Sequence, residues 1–287
     1  MDFALNDRRR RGATGARLLA AFGLRRFAAG YAGPLVRLRR ASDNAERDFS
    51  AGAGMWLDEA AVLAWCGASS AYASVLYGQA GGLNLIQATA SAQPRLVSAG
   101  VLEGMAGRPA LRFSGAQWLA GPASSAGLTS LGLFCVARVD ADAGNDCAIW
   151  GWAADTAPRL YAMRLFSTGN QAGGAGDVAF VTNFTASPVT RVTAQGPFAN
   201  PEAGPQAWEF HLGAATRAIR RNGTVVVVSG GINGPPSGAA DTMLLGRPST
   251  LSSSYFEGWI GDLLVLGNGG DADVAAQGAA LRPGWGL

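Results

Sequence analysis

Residues 72–97, YASVLYGQAGGLNLIQATASAQPRLV, and residues 107–113, GRPALRF, decide how this chain folds. The stretch opens on a strand-like run, Tyr72–Tyr77, and closes on a second one, Ala110–Phe113. A glycine-rich turn and small polar residues separate them, with Gln79 and Asn84 in the loop. Glycine adopts backbone conformations that other residues avoid. The pattern therefore predicts a loop between two strands that holds amides and carboxamides in fixed directions.

The composition favours a β protein. At 287 residues, the chain is long enough to bury a large core. Apolar residues make up 48% of the chain and 41 residues are glycine, which favours many short strands joined by tight turns over a helical bundle. Since no run of about 18 apolar residues occurs, we expect no membrane-spanning helix.

The positive charge is concentrated near the N-terminus. All 23 basic residues are arginine. Residues 1–50 hold 11 arginines against 5 acids, a net charge of +6, and the remainder holds 12 against 15, a net charge of −3. An acidic-leaning body therefore carries a basic N-terminal segment.

This basic segment is predicted to form a helical arm over residues 8–29, because Leu18 and Phe22 are spaced i, i+4. Its candidate docking residues are Arg8, Arg9, Arg10, Arg11, Arg17, Leu18 and Phe22. Two interpretations stay open: an arm that docks on a larger assembly or an acidic surface, and a solvated helix packed on its own domain. Because Arg25 and Arg26 interrupt the apolar run, we interpret the segment as retained and not as a cleaved export signal.

Most of the remaining chain is predicted to form strands and turns. Leu131–Val139 is apolar almost throughout, which favours a strand buried between two sheets. Trp208–Leu212 alternates, so its three apolar side chains should face one way, and Glu209 and His211 the other. Asn222-Gly223 predicts a tight hairpin. Short helices are predicted at Asp58–Trp65 and Asp271–Leu281.

The C-terminal part resembles the concanavalin A-like lectin/glucanase superfamily, including laminin-G-like modules. The residues that carry the resemblance are Trp208-Glu209-Phe210, Arg221-Asn222-Gly223-Thr224, Leu245-Gly246-Arg247 and Phe256-Glu257-Gly258-Trp259-Ile260-Gly261-Asp262-Leu263. In that superfamily an Asn-Gly turn closes a hairpin, and a late strand follows a Phe-x-Gly-x-Ile-Gly-acid-Leu pattern. The resemblance covers roughly the last two-thirds of the chain.

The N-terminal part resembles the catalytic domain of the alpha-L-arabinofuranosidase B family. Residues 31–48, YAGPLVRLRRASDNAERD, are similar to the opening of that domain, and Tyr77 to Arg95 to its next signature. Similar segments occur in structural proteins of bacteriophages and phage-like particles. The resemblance implies an all-β fold, a two-sheet concanavalin A-like jelly-roll sandwich with a concave face where sugars bind. We therefore expect a short N-terminal helical arm over residues 1–30 and a sandwich with a few short helices over residues 31–287.

The sequence departs from the enzyme pattern at the loop. The family's Tyr-Asp-Gln-Ser-Gly is replaced by Tyr77-Gly78-Gln79-Ala80-Gly81, so its carboxylate and its hydroxyl are both missing. The segments that hold the family's nucleophile and acid/base do not align with any stretch of this chain. The resemblance therefore carries over no catalytic residue.

Glycoside hydrolysis would need two carboxyl groups across the scissile bond. The best candidate for a general acid is Glu209, which shares a strand face with His211, and the second is Asp262. The alternative is that Glu209 and His211 lie on a solvated or polar sheet face and that Asp262 is an outward residue of a closing strand.

Sugar binding needs only an aromatic platform with amides and carboxylates around it. Two sets of residues offer this: Tyr77, Gln79 and Asn84; and Trp152, Asp155 and Arg159, with Trp150 nearby. The alternatives are core packing for the tryptophans and hydrogen bonding within the loop for Gln79 and Asn84.

Other chemistries find no support in the sequence. Cys66, Cys135 and Cys147 show no Cys-x-x-Cys spacing and the chain has one histidine, so we expect no metal site and buried free thiols. No nucleophile elbow, P-loop or dinucleotide fingerprint occurs, and we expect no cofactor. We do not expect nucleic-acid binding, because the arginines of the arm are not interleaved with aromatic residues.

These observations favour a non-catalytic carbohydrate-binding or surface-interaction domain of a virion or phage-like particle, such as a tail fibre, spike or decoration protein. Its expected partners are a cell-surface glycan, other particle proteins bound through the arm, and further copies of itself in a homo-oligomer. We expect synthesis in the cytoplasm and a final location on the particle surface. The alternative functions are an arabinofuranosidase-like glycoside hydrolase and a structural adaptor without a ligand site.

Overall fold

The computed structural model of the protein describes residues 16–124, 126–140, 147–154, 160–165, 178–182, 190–194, 202–213, 216–230, 241–247 and 255–287. Four arginines of the predicted arm, Arg8, Arg9, Arg10 and Arg11, lie outside the described residues, as do Asp155 and Arg159 of the second predicted sugar-binding set.

Short strands make up about half of the described residues. The first half contains β1 (Arg17–Phe22), β2 (Val36–Arg40), β3 (Glu46–Phe49), β4 (Ala71–Leu76), β5 (Leu85–Ile86), β6 (Arg95–Ser98), β7 (Val101–Leu102), β8 (Gly104–Met105), β9 (Arg108–Pro109), β10 (Leu111–Ser114), β11 (Leu119–Ala123) and β12 (Ser130–Val139). The second half contains β13 (Cys147–Ala154), β14 (Leu160–Leu165), β15 (Val178–Thr182), β16 (Thr190–Ala194), β17 (Gln206–Gly213), β18 (Thr216–Arg221), β19 (Thr224–Gly230), β20 (Asp241–Leu245) and β21 (Glu257–Gly267).

These strands form the predicted two-layer antiparallel sandwich. The front sheet has the order β3-β2-β4-β6-β10-β21-β12-β17-β18-β19, with β1 beside β10 on the same edge of β21. The back sheet has the order β5-β11-β20-β13-β14-β15-β16. Pairing of β4 with β5 joins the two layers at one edge, and β8 and β9 form a separate small hairpin.

A single apolar core fills the space between the sheets. The front sheet contributes Leu38, Leu111, Phe113, Leu133 and Ile260, and the back sheet contributes Leu119, Trp150, Met243 and Leu245. Burial of this apolar surface is the main stabilising contribution to such a sandwich. Because side chains alternate along a strand, each front strand also presents residues on its outer face.

The pattern-based predictions for the strands are confirmed. Leu131–Val139 lies in β12, which pairs with β17 on one side and β21 on the other and is buried along most of its length. Trp208, Phe210 and Leu212 all enter the core, as the alternation predicts. Asn222 and Gly223 have φ angles of 51° and 84°, which is the left-handed geometry of a tight hairpin turn between β18 and β19.

Two helices complete the fold, α1 (Glu59–Cys66) and α2 (Asp271–Leu281), together with 3₁₀ turns at Ala90–Ala92 and Arg282–Trp285. The Asp58 side chain caps α1 by accepting a hydrogen bond from the Ala61 amide at 3.0 Å. Helix α2 packs on the outer face of the front sheet and covers Phe134, Val136 and Leu264 with the help of Trp285. Of the helices in the described ranges, none is long and apolar enough to cross a membrane.

The predicted helix over residues 8–29 is wrong for Arg17–Phe22. These residues form β1, which pairs antiparallel with residues 263–267 of β21. Ala20 and Phe22 are buried in the core between the sheets, and Ala21 is buried on the opposite face. A short apolar run buried on both faces has no periodicity that separates a strand from a helix, which explains the error. Leu18 and Phe22 therefore belong to the sandwich and are not free to dock elsewhere, and the sandwich begins by residue 17.

Candidate functional site

A row of arginine and aromatic side chains crosses the outer face of the front sheet. Cross-strand pairing places six residues side by side on neighbouring strands: Arg39, Tyr72, Arg95, Arg112, Trp259 and Arg138. Directly paired residues present their side chains on the same face of a sheet. The flanking residues on the same strands, such as Leu111 and Ile260, point into the core. We call these six residues the arginine–aromatic row.

Aromatic rings hold the guanidinium groups of the row in place. Trp259 lies between two of them: the guanidinium carbon of Arg112 is 4.1 Å from the ring centroid, and that of Arg138 is 3.9 Å away. Arg39 lies over the ring of Tyr72 at 5.2 Å. Cation–π contacts of this kind stabilise a guanidinium in a fixed plane.

Three carboxylates, Glu103, Asp140 and Glu257, neutralise part of the positive charge, and Glu257 lies 4.0 Å from Arg112 Nη2. Glu103 accepts hydrogen bonds from Arg95 Nε at 2.8 Å and from Trp259 Nε1 at 3.1 Å. Asp140 accepts a 2.6 Å hydrogen bond from Arg112 Nη2. Arg39 donates to the neutral oxygens of Gln93 and Asn44 instead. The row therefore contains arginines with carboxylate partners beside one without.

A cleft of about 460 Å³ opens above the β2 to β10 side of the row. Its lining residues are Arg39, Ala41, Tyr72, Ala90, Ser91, Gln93, Arg95, Arg112, Ser114 and Gln117. Two loops form its walls, and a 3.0 Å hydrogen bond from the Trp118 amide to the Ala92 carbonyl fastens them together. The volume lies in the range of small-molecule sites. Among the described residues that line this cleft, three are arginines and none is a carboxylate.

The first predicted sugar-binding set lies away from the cleft and is engaged in the protein's own contacts. The Tyr77 hydroxyl donates to Asp48 at 2.8 Å. Gln79 accepts a hydrogen bond from the Phe27 amide at 2.9 Å and donates to the Arg25 carbonyl at 2.6 Å. Asn84 Oδ1 accepts from the Gly78 amide within the loop at 3.1 Å. These contacts fasten the loop to the N-terminal segment.

Gly78, which replaces the carboxylate of the enzyme pattern that this loop resembles, has no room for a side chain. A Cβ atom at this position would lie 1.8 Å from the carbonyl oxygen of Leu83 and 3.3 Å from the ring of Phe22. Because the obstructing atom belongs to the backbone, no rotamer change relieves the clash. The loop that organises this part of the chain is thus shaped around a glycine.

Of the second predicted sugar-binding set, the structure describes only the tryptophans. Trp152 is 3% exposed and its Nε1 donates a 2.8 Å hydrogen bond to Asp241. Its ring packs edge-on against Trp150, with centroids 6.0 Å apart. Both rings therefore lie in the core, where a sugar cannot reach them.

The two catalytic candidates, Glu209 and Asp262, lie on the outer face of the front sheet under the C-terminal helix. Both are fully buried. Glu209 accepts a hydrogen bond from Arg282, and Asp262 accepts from Trp285 Nε1 at 2.8 Å. Burial raises the pKa of both carboxyl groups, and the neighbouring Arg282 and Arg25 charges oppose that shift. Neither carboxylate reaches the cleft or the solvent.

The histidine and the cysteines described by the structure are also internal. His211 is buried with its Nε2 3.2 Å from the Gly269 carbonyl oxygen, and burial lowers its pKa. Cys66 and Cys135 are buried free thiols whose pKa burial raises. In the described part of the chain, no cluster of three or more His, Cys, Asp or Glu side chains could hold a metal ion.

Sequence reasoning missed the cleft. Its residues come from four strands and two loops, and only the register of the sheet brings them together. A local signal was present, because an arginine stands between two buried apolar residues in Leu111-Arg112-Phe113 and again in Ala137-Arg138-Val139. Such an arginine is fixed on the outer face of a sheet and is worth examining as part of a binding surface.

Comparison with known proteins identifies the fold. No protein-family model matches the sequence, and no curated protein matches it either. Among solved structures, the chain is similar to an arabinofuranosidase in complex with arabinofuranosyl-α-1,2-xylobiose, with 16% identity and a TM-score of 0.66. It is also similar to a GH54 α-L-arabinofuranosidase soaked with a cyclic sulfate inhibitor, with 15% identity and a TM-score of 0.68. A mutant of a GH54 α-L-arabinofuranosidase soaked with 4-nitrophenyl α-L-arabinofuranoside gives 15% identity and a TM-score of 0.71.

In all three comparisons the match covers 94% of this chain and 63% of the other one. The similarity confirms the jelly-roll sandwich predicted from the sequence. At this level of identity it describes the fold alone, since one fold serves many functions. The function has to be argued from the site.

Proposed function

We propose that the domain binds carbohydrate without cleaving it, in the cleft above Tyr72. One observation carries the proposal: one solvent-open cleft brings together the aromatic ring of Tyr72, the Gln117 side chain and two serine hydroxyls. Sugars are bound by stacking on an aromatic ring and by hydrogen bonds to their hydroxyl groups. This is also the outer face of a sheet in a fold shared with arabinofuranosidases.

The positions of the carboxylates support a non-catalytic role. A glycosidase places two carboxyl groups about 5–10 Å apart around the scissile bond. No carboxylate lines the described cleft, and Glu103, Asp140 and Glu257, which lie near it, form ion pairs with arginines of the row. The buried Glu209 and Asp262 lie under α2.

The test is a broad glycan array followed by calorimetry with the strongest hits. Tyr72→Ala removes the platform, and we expect at least tenfold weaker binding, about the contribution of one stacked ring. Tyr77→Ala is the matched variant in the first predicted set and should leave the affinity unchanged. Absence of signal across the array would contradict carbohydrate binding, and loss of binding in the Tyr77 variant alone would move the site to the loop.

One observation favours the hydrolase as a second candidate. Glu202 is buried, it accepts a 3.0 Å hydrogen bond from the Val139 amide, and burial raises its pKa to about 7. A carboxyl group that stays protonated near neutral pH is suited to general acid catalysis. Turnover of an aryl arabinofuranoside that is lost in Glu202→Gln would establish this function. A panel of aryl glycosides without turnover would exclude it.

We also propose, on the sequence resemblance and the basic N-terminal segment, that the domain is carried on a virion or phage-like particle and docks through Arg8–Arg11. Since Arg17–Phe22 is a strand of the sandwich, the docking segment has to lie before residue 16. Deletion of residues 1–15 should abolish co-sedimentation with the particle. Normal incorporation of the shortened protein would contradict docking. Homo-oligomer formation is proposed with it and is measured by light scattering.

A further inference from the structure

The charge in the cleft defines the class of sugar it would take. We propose that the cleft selects acidic saccharides and that the anionic group of one sugar residue binds between Arg39 and Arg112. This inference rests on the proposed function, because it names the ligand class of the same site. It is based on the different degrees to which carboxylates of the protein neutralise the three cleft arginines.

Arg95 is already neutralised. Its Nε and Nη2 lie 2.8 and 2.6 Å from the same carboxylate oxygen of Glu103, whose side chain is only 13% exposed. A charge pair held this closely has little attraction left for a ligand anion. Arg95 therefore shapes the cleft floor and supplies little net charge.

Arg112 has one guanidinium nitrogen bonded to a carboxylate and another without a hydrogen-bond partner. Its Nη2 donates to Asp140, while its Nη1 is shielded from solvent and has no hydrogen-bond partner. The side chain is 12% exposed, and its contact with the face of Trp259 fixes the plane of the guanidinium. An unpaired, desolvated guanidinium nitrogen is costly to leave without a partner. Since Nη1 itself is shielded, a carboxylate or sulfate group in the cleft would meet the part of the Arg112 side chain that remains exposed there.

Arg39 supplies the uncompensated charge. It donates to Gln93 Oε1 at 2.7 Å and to Asn44 Oδ1 at 2.9 Å, and its longest contact is 3.4 Å to the Ala90 carbonyl. Within 4.0 Å no carboxylate of the described chain forms a salt bridge with Arg39, and Glu46, its register partner on β3, is exposed to solvent. Counting ion pairs within 4.0 Å, the four arginines of the row face three acids, Glu103, Asp140 and Glu257, which leaves one positive charge at the row. A ligand with one anionic group per bound sugar residue would balance it.

The size and wall chemistry favour a saccharide over a nucleic acid. Ser91, Ser114 and Gln117 offer hydroxyl and amide groups that match sugar hydroxyls. A single-stranded nucleic acid would need a longer positive groove with successive aromatic platforms. Here the second ring, Trp259, lies between two guanidiniums and is not free to stack on a base.

The experiment compares matched pairs of ligands on the full chain. Tetragalacturonate and its carboxyl-reduced tetrasaccharide test the carboxylate, and chondroitin sulfate with its desulfated form tests a sulfate ester. We expect one acidic member to bind at least tenfold more tightly than its neutral counterpart. Arg39→Gln and Arg112→Gln should each remove that preference. Arg47→Gln, which changes the same charge at an exposed position of β3, should keep it.

Each outcome of this experiment tests a separate claim: the charge selectivity, carbohydrate binding or the position of the site. Equal binding of the acidic and neutral members overturns the charge selectivity and leaves carbohydrate binding in place, whereas absence of binding by all four ligands overturns both. Retained selectivity in folded Arg39→Gln overturns the site, and this variant, at a half-buried position, serves where Arg112→Gln fails to fold. Tighter binding of an oligothymidylate than of any saccharide would show that the cleft serves nucleic acid.

Discussion

Arg25 donates a 2.5 Å hydrogen bond to Asp262, although the two residues are 237 positions apart in the sequence. Both side chains are almost completely buried, and Arg25 also reaches the Leu281 carbonyl oxygen at 3.1 Å. The pair therefore joins the segment after β1 to the closing strand β21 and to the end of α2. The Asp262 carboxylate, which the sequence pattern indicated as a catalytic candidate, is therefore engaged in a buried ion pair.

Breaking this pair on one side should be strongly destabilising. We expect Arg25→Leu to lower the free energy of unfolding by about 3–5 kcal/mol, because it leaves the Asp262 carboxylate buried without its partner. Urea unfolding followed by tryptophan fluorescence measures the change. The double variant Arg25→Leu/Asp262→Leu should recover much of the loss, and Arg26→Leu is the neighbouring control. A single variant as stable as the parent would show that the pair contributes nothing.

The position of β1 sets a sharp boundary for truncation. Removing residues 1–15 keeps every described strand, so we expect this shortened chain to fold and to melt cooperatively. Removing residues 1–28 deletes β1, exposes the edge of β21 and takes away Arg25, so this shortened chain should not fold. Circular dichroism on heating distinguishes the two. A cooperative transition in the longer deletion would contradict the integral role of β1.

Much of the sandwich could be predicted because its strands carry local signals. The apolar run of β12, the alternation in β17 and the Asn-Gly turn each determine their conformation from neighbouring residues. Strand β1 could not be predicted in this way, since Leu18–Phe22 is apolar at every position and both of its faces are covered by distant parts of the chain. Its conformation depends on pairing with β21.

The candidate site was less predictable than the fold for the same reason. Arg39, Tyr72, Arg95 and Arg112 become neighbours only through sheet register, which no local pattern reveals. Conversely, Gln79 was correctly placed in a loop, but its hydrogen bonds to the backbone of Arg25 and Phe27 depend on the path of the N-terminal segment. The residue type determines which interactions a side chain can make. Long-range strand pairing determines where in the structure it makes them.

The loop glycine offers a test of the resemblance to the enzymes. Gly78→Ala should destabilise the protein by about 2 kcal/mol or more, because the new Cβ meets the Leu83 carbonyl oxygen and the backbone must move. Gly78→Asp, which introduces the residue type of the resembled enzyme pattern, should cost at least as much. Gly54→Ala is the matched control, as nothing lies within 4 Å of its Cβ position. Chemical unfolding measures all three, and an unchanged Gly78→Ala would mean that the loop adapts freely.

The buried Glu202 predicts a specific dependence of stability on pH. Burial raises its pKa from an ordinary value of 4.5 to about 7 in the folded chain, against the weaker opposing effects of the Val139 amide and the Arg221 and Arg138 charges. Below pH 4.5 both the folded and the unfolded chain hold the proton. Between pH 4.5 and 7 the unfolded chain releases it while the folded chain keeps it, so the stabilisation present at low pH is lost as the pH rises through 7.

A shift of this size corresponds to a loss of about 3 kcal/mol over that window. Glu202→Gln replaces the carboxyl group with an amide that does not titrate, so the variant should lack this part of the pH dependence. Guanidinium unfolding at pH 4.5 and pH 7.5 gives the difference, with Glu46→Gln as the exposed control that should follow the parent. Because other groups titrate equally in parent and variant, the comparison isolates Glu202. Parallel curves for the parent and Glu202→Gln would show that this carboxyl group is ionised in the folded protein and compensated by Arg221 and Arg138.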